Sequence, residues 1–135
     1  MIHIICDTTA CLRDEFVERH DNLHMIPLHI ALGGGESVDD NSISTKEVFE
    51  SYEATKIQPL TSQPSIGEWL QLINSIPEED PIIIITLTQI VSGTAQTARV
   101  AAKQSKRKQI AVIDSHSTNG GMQILVEEAL AMIEE

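Results

Sequence analysis

Positive charge and aromatic side chains are both scarce in this sequence. Its 135 residues hold 9 lysines and arginines against 20 aspartates and glutamates, a net charge of −11. Without a basic patch to displace counterions from phosphates, nucleic acid is not an expected partner. Only Phe16, Phe49, Tyr52 and Trp69 are aromatic, too few for a base-stacking platform. No apolar stretch approaches the ~20 residues of a membrane-spanning helix, and nothing resembles a secretion signal. A cytoplasmic protein with no membrane span is therefore expected. Cysteine is limited to Cys6 and Cys11. Without a secretion signal these read as reduced thiols, and the spacings of zinc sites are missing. No metal and no cofactor are expected.

Apolar residues make up 41% of the chain and charged residues 21%, the composition of one globular domain covering residues 1–135. The chain is organised around residues 81–100. Ile82, Ile83, Ile84 and Ile85 form a β-branched run with no polar face, suited to a strand buried on both sides of a parallel sheet. The run turns polar at Thr86, Thr88 and Gln89, and Ser92-Gly93-Thr94 follows. Alanines at 95, 98, 101 and 102 then mark a helix with Ser92 as its expected N-cap. A helix start of this kind offers free N–H groups and a favourable dipole to an anion.

The same alternation recurs along the chain. Strands are expected near residues 2–6, 24–31, 82–87 and 110–114. Pro27 makes the second an edge strand or a broken one. His3 reads as a hydrogen-bonded core or edge histidine. A helix face is expected from Leu12, Phe16 and Val17, with Cys11 in its early turn. Gly33-Gly34-Gly35 fits no phosphate-loop pattern and reads as a flexible turn. Ser44 with Glu47 and Ser65 with Glu68 are capping boxes opening two helices. Pro64 forces Gln63 to be extended, which holds Thr61 and Ser62 outside the helix start. Met122, Leu125, Val126, Ala129 and Ile133 share one face of a last helix. That helix ends at Glu134-Glu135 with no C-cap signal and the wrong charge for its dipole, so we expect the native chain to continue or to have been cut there. Together these elements predict an α/β fold: a three-layer sandwich with a mostly parallel sheet and helices on both faces. Three strands end in Asp7-Thr8-Thr9, Thr86-x-Thr88 and Asp114-Ser115-x-Ser117, so acids and hydroxyls should gather at the carboxyl edge of the sheet.

Asp7-Thr-Thr-Ala10, Thr61-Ser-Gln-Pro-Ser65, Ser92-Gly-Thr94 and Asp114-Ser-x-Ser117 resemble, in order and spacing, the successive motifs of the DegV family. These are bacterial fatty-acid-binding proteins that carry acyl chains for fatty acid kinase. The resemblance implies that Thr61 and Ser92 hydrogen-bond the carboxylate of a long-chain fatty acid, with Ser62 and Gly93 beside them. It implies an apolar tunnel for the tail and a kinase subunit as partner. Asp7, Thr8, Thr9, Asp114 and Ser115 are candidate site lining. The chain departs from the family pattern in Thr8, where serine is usual, and in lacking the usual glycine near Asn41. The resemblance also implies a second, C-terminal domain, which we expect to lie outside these residues. A half tunnel would leave the tail partly wet, weakening binding and favouring self-association.

A hydrolase triad of Ser92, His116 and Asp114 is a weak rival, because the first glycine of the nucleophile elbow is missing. The stronger alternative is an α/β enzyme or binding domain for a small phosphorylated ligand, since helix N-termini take phosphate as readily as carboxylate. The favoured reading is a binding protein, not an enzyme.

Overall fold

The computed structural model describes residues 1–134. Four apolar segments form its main sheet: β1 (His3–Asp7), β2 (Leu23–Ile26), β6 (Ile82–Thr86) and β7 (Ile110–Asp114), in the order β2-β1-β6-β7 and all parallel. The register sets Ile5 opposite Ile84, and Ile84 opposite Val112. Because successive strand side chains alternate faces, the isoleucine run feeds both sides of the sheet. Ile4, Cys6, Leu23 and Ile85 face one core with Met122, Val126 and Leu130 of helix α5 (Asn119–Glu134). Ile5, Ile26, Ile82 and Ile84 face the other with Trp69 and Ile73 of α3 (Ile66–Ser75) and Ala98 and Ala101 of α4 (Thr94–Gln104). The small alanine faces let α4 lie close to the sheet and to α3. The result is the expected three-layer α/β arrangement. No helix among the described residues is long and apolar enough to cross a membrane.

A second, three-stranded antiparallel sheet consists of β3 (His29–Leu32), β4 (Gly35–Val38) and β5 (Leu60–Ser62), in the order β4-β3-β5. The single strand expected at 24–31 is therefore two strands in two sheets. Pro27 has no N–H to give a ladder, and the chain leaves the parallel sheet at that point. Gly33 and Gly34, at φ 56° and 91°, form the two-residue turn of the β3–β4 hairpin. The turn expected at the glycine run is thus a tight hairpin turn, which glycines in the left-handed region make cheap, with Gly35 already in β4. Asn41 also takes a positive φ of 65°. It supplies the left-handed residue where a glycine was missed, as asparagine does at low cost.

Both capping boxes form. Ser44 opens α2 (Thr45–Thr55): its Oγ accepts the Glu47 N–H, while Glu47 accepts the Ser44 N–H. Ser65 and Glu68 repeat the arrangement at α3. The helix expected around Phe16 is only one turn, α1 (Asp14–Val17), preceded by a 3-10 turn at Thr8–Ala10. Cys11 sits between them in a left-handed conformation and is exposed, not in a helix. On α5 the buried positions are Met122, Val126 and Leu130, whereas Leu125 is 43% exposed. Spacings of four keep those three on one stripe, and Leu125 falls beside it. His3 is buried as expected, with Nδ1 2.9 Å from His24 Nε2 and Nε2 3.1 Å from an Asp80 carboxylate oxygen.

Candidate functional site

Strand β6 leaves the sheet through Leu87 and reaches α4 by the loop at residues 88–93. Backbone bonds hold that loop against the exit of β7. Thr88 N–H donates to the Ser117 carbonyl at 2.9 Å, and Ser115 N–H to the Thr86 carbonyl at 3.0 Å. Gln89 N–H donates to the Asp114 carboxylate at 3.3 Å. Ser92 is not the N-cap of α4. Gly93 holds that position at φ −81°, ψ 3°, and Thr94 begins the helix. Ser92 Oγ still accepts the Thr94 N–H, at 3.2 Å, and lies 2.8 Å from Thr94 Oγ1. Gly93 has no side chain with which to cap, so the serine one place earlier folds back two residues onto the helix start. Thr94 is fully buried.

Thr61 and Ser62 lie not in a loop but on β5, where they pair with Ile30 and His29 of β3. Both are exposed, and neither hydroxyl has a hydrogen-bond partner among the described residues. The segment is held at its C-terminal end, next to Ser62. His29 Nε2 reaches Glu68 Oε1 of α3 at 2.8 Å, and Pro64 is fully buried. Between them Gln63 lies against Gly93: a Cβ placed on Gly93 would stand 2.0 Å from Gln63 Oε1. The Thr61-Ser62 strand and the Ser92-Gly93 loop therefore meet through this side chain. Nothing in the sequence pattern assigns Gln63 a role. Its place between two candidate hydroxyls and a proline was the available signal. Leu60, Ile90 and Val91, the residues leading into Thr61 and Ser92, are 66%, 84% and 72% exposed.

The remaining candidates turn inward. Asp7 is completely buried. Its Oδ1 accepts the Thr9 N–H at 3.0 Å and the Thr9 hydroxyl at 2.5 Å, and its Oδ2 accepts the Leu87 N–H at 2.7 Å. Burial pushes its carboxyl above the ordinary range against these hydrogen bonds. Thr8 Oγ1 accepts the Leu28 N–H at 3.2 Å. Asp7 and Thr8 thus tie β1 to the exits of β6 and β2, and hold the loops in place from beneath. Asp114 accepts from Gln89 and His116. Burial raises its carboxyl, but those two N–H groups and the nearby His116 and Arg99 outweigh it, so it lies below the ordinary range. Ser115 Oγ accepts the Ser117 N–H and donates to the Ser117 carbonyl, both at 3.1 Å. It shapes the turn entering α5.

His116 Nδ1 lies 3.6 Å from Asp114, while the Ser92 hydroxyl bonds to Thr94. The Ser92–His116 contact of a hydrolase triad is not made among the described residues. The nearest cation on α4, Arg99, is engaged with Gln89 Oε1 at 3.1 Å. What the carboxyl edge of the sheet offers is a group of hydroxyls and a helix start beside exposed apolar residues. This suits a singly charged anion with an apolar body better than a dianion.

These features define an α/β domain whose parallel sheet carries hydroxyl-rich loops at its carboxyl edge. The chain belongs to the DegV family: the family described as "Uncharacterised protein, DegV family" matches residues 1–135. A DegV domain-containing 15.5 kDa protein of Staphylococcus aureus is 32% identical over 131 residues, covering 96% of this chain and 91% of that one. A fatty-acid-binding DegV family protein of Thermus thermophilus superposes with a TM-score of 0.91 at 25% identity, covering 98% of this chain and 47% of that one. The Streptococcus pneumoniae fatty acid kinase (Fak) B3 protein loaded with linoleic acid superposes at 0.83 and 25% identity, with 98% and 48% covered. Apart from the 15.5 kDa protein, the chain spans about half the length of these relatives, as it does of other curated S. aureus relatives.

Proposed function

We propose that this domain binds a long-chain fatty acid by its carboxylate and presents that carboxylate to a fatty acid kinase for phosphorylation. In this reading the Thr61 and Ser92 hydroxyls donate to the carboxylate, with Ser62 and the Gly93 N–H beside them. The observation that carries it is the contact of Gln63 with Gly93. It joins the two hydroxyl-bearing segments where exposed Leu60, Ile90 and Val91 can meet an acyl chain. Fatty acids carried by solved relatives that match nearly all of this chain support it.

The energetics divide between head and tail. Each hydrogen bond to the carboxylate contributes about 1.5–3 kcal/mol net. Each CH₂ of the tail contributes about 0.8 kcal/mol where it is fully removed from water. In this reading Leu60, Ile90 and Val91 cover one side of the tail. Extraction of the purified protein followed by mass spectrometry tests the ligand class. A long-chain fatty acid is expected; a phosphorylated metabolite in its place would overturn the proposal. Trapping an acyl phosphate with hydroxylamine, after incubation with palmitate, ATP and a fatty acid kinase, tests the partner. No acyl hydroxamate above a control without this protein would remove the kinase from the account.

A further inference from the structure

We infer that Gln63 is a positioning residue of the ligand site: its amide sits in the space left by the missing side chain of Gly93 and locks the Thr61-Ser62 strand to the Ser92 loop. The backbone of Gly93, at φ −81° and ψ 3°, is open to any residue. Glycine there leaves room rather than serving the backbone: any side chain would have to displace the end of Gln63. A Cβ at that position would lie 2.0 Å from Oε1, 2.9 Å from Cδ and 3.1 Å from Nε2 of Gln63, so the end of this exposed side chain, oxygen foremost, occupies the place of a Gly93 side chain. The neighbouring Pro64 is fully buried, which fixes the base from which Gln63 reaches. Strand β5 is three exposed residues long and pairs with β3 alone. Its hold on the rest of the domain therefore rests on a few contacts, and Gln63 is the one that ends at the candidate ligand loop. The role of this lock in ligand binding rests on the fatty-acid reading; the lock itself does not.

The test combines hydrogen exchange of a peptide covering residues 57–64 with palmitate affinity, measured on the whole 135-residue chain. Gln63→Ala and Gly93→Ala should each speed exchange of that peptide and weaken palmitate binding, by about tenfold. The double variant should be no worse than Gln63→Ala, because the new methyl group then enters space that Gln63 has left. Gln63→Glu keeps the shape and adds a negative charge. Exchange should stay at the wild-type rate while palmitate binding weakens by like-charge repulsion. Wild-type exchange in Gln63→Ala, or multiplying effects in the double variant, would overturn the lock. Faster exchange with unchanged palmitate affinity in every variant would uphold the lock and overturn its service to the ligand. Absence of palmitate binding by the wild type would overturn the fatty-acid reading, with the lock still decided by exchange.

Discussion

Replacing Asp7 with asparagine isolates the buried carboxylate beneath the site. Its two oxygens face donors on opposite sides: Thr9 N–H and hydroxyl on one, Leu87 N–H on the other. Asparagine has the same shape but brings one acceptor and one NH₂ group. In either orientation the NH₂ points at a backbone N–H. The cheaper orientation keeps the Leu87 bond and turns the NH₂ toward Thr9, whose hydroxyl can rotate to accept but whose N–H cannot. One part-buried donor is then orphaned, at about 1–3 kcal/mol. The neutral amide is relieved of some of the burial cost that raises the Asp7 carboxyl, so the lower half of that range is expected. For a domain of this length about 1–2 kcal/mol corresponds to roughly 3–10 °C in Tm. Asp7→Ala orphans both backbone donors and should cost more, about 2–6 kcal/mol. Urea denaturation with an unchanged slope measures both. An Asp7→Asn midpoint at or above the wild type would refute the claim that this carboxylate clamps β1 to the site loop.

Two further outcomes are expected elsewhere in the fold. Burial, and then the neighbouring His3, hold His24 below its ordinary value of 6.5. A depressed value means that its contribution to stability is present above pH 6.5 and is lost as pH falls through the folded value. The wild-type urea midpoint should thus fall between neutrality and about pH 5, and His24→Gln should flatten that part of the profile; an identical profile would remove His24 as the cause. Arg107 donates to the carbonyls of Ile76, Pro77, Glu78 and Asp80 in the loop after α3. Arg107→Ala should destabilise by about 1–3 kcal/mol, with Arg107→Lys recovering only part because an ammonium lacks the planar fork. Full recovery by lysine would mean that charge alone matters there.

The parallel sheet was readable because its signals are strong and local: the isoleucine run has no polar face, and both capping boxes carry acid and hydroxyl at the required spacing. The small sheet was not. Strand β5 is exposed at all three residues, so no apolar alternation marks it. The β3–β4 hairpin was hidden in a glycine run that also fits a loose turn. Site residues divide in the same way. Ser92 is half-buried before α4, and Thr61 and Ser62 are exposed on β5 of the small sheet, not in the loop expected for them. Asp7 and Thr8 belong to the same chemistry in sequence, yet point inward, because a strand end has two faces and sequence does not say which one a loop will cover. The closeness of Gln63 to Gly93, 30 residues on, is a tertiary contact that no local pattern marks.

Calorimetric titration of palmitate into the wild type, Thr61→Ala and Ser92→Ala tests the central claim most directly. The account predicts saturable binding to the wild type and a loss of about 5- to 150-fold in each variant, the equivalent of about 1–3 kcal/mol for a hydrogen bond to a charged group. Unchanged affinity in both variants would contradict it, as would binding of inorganic phosphate at Ser92 in a protein that ignores palmitate.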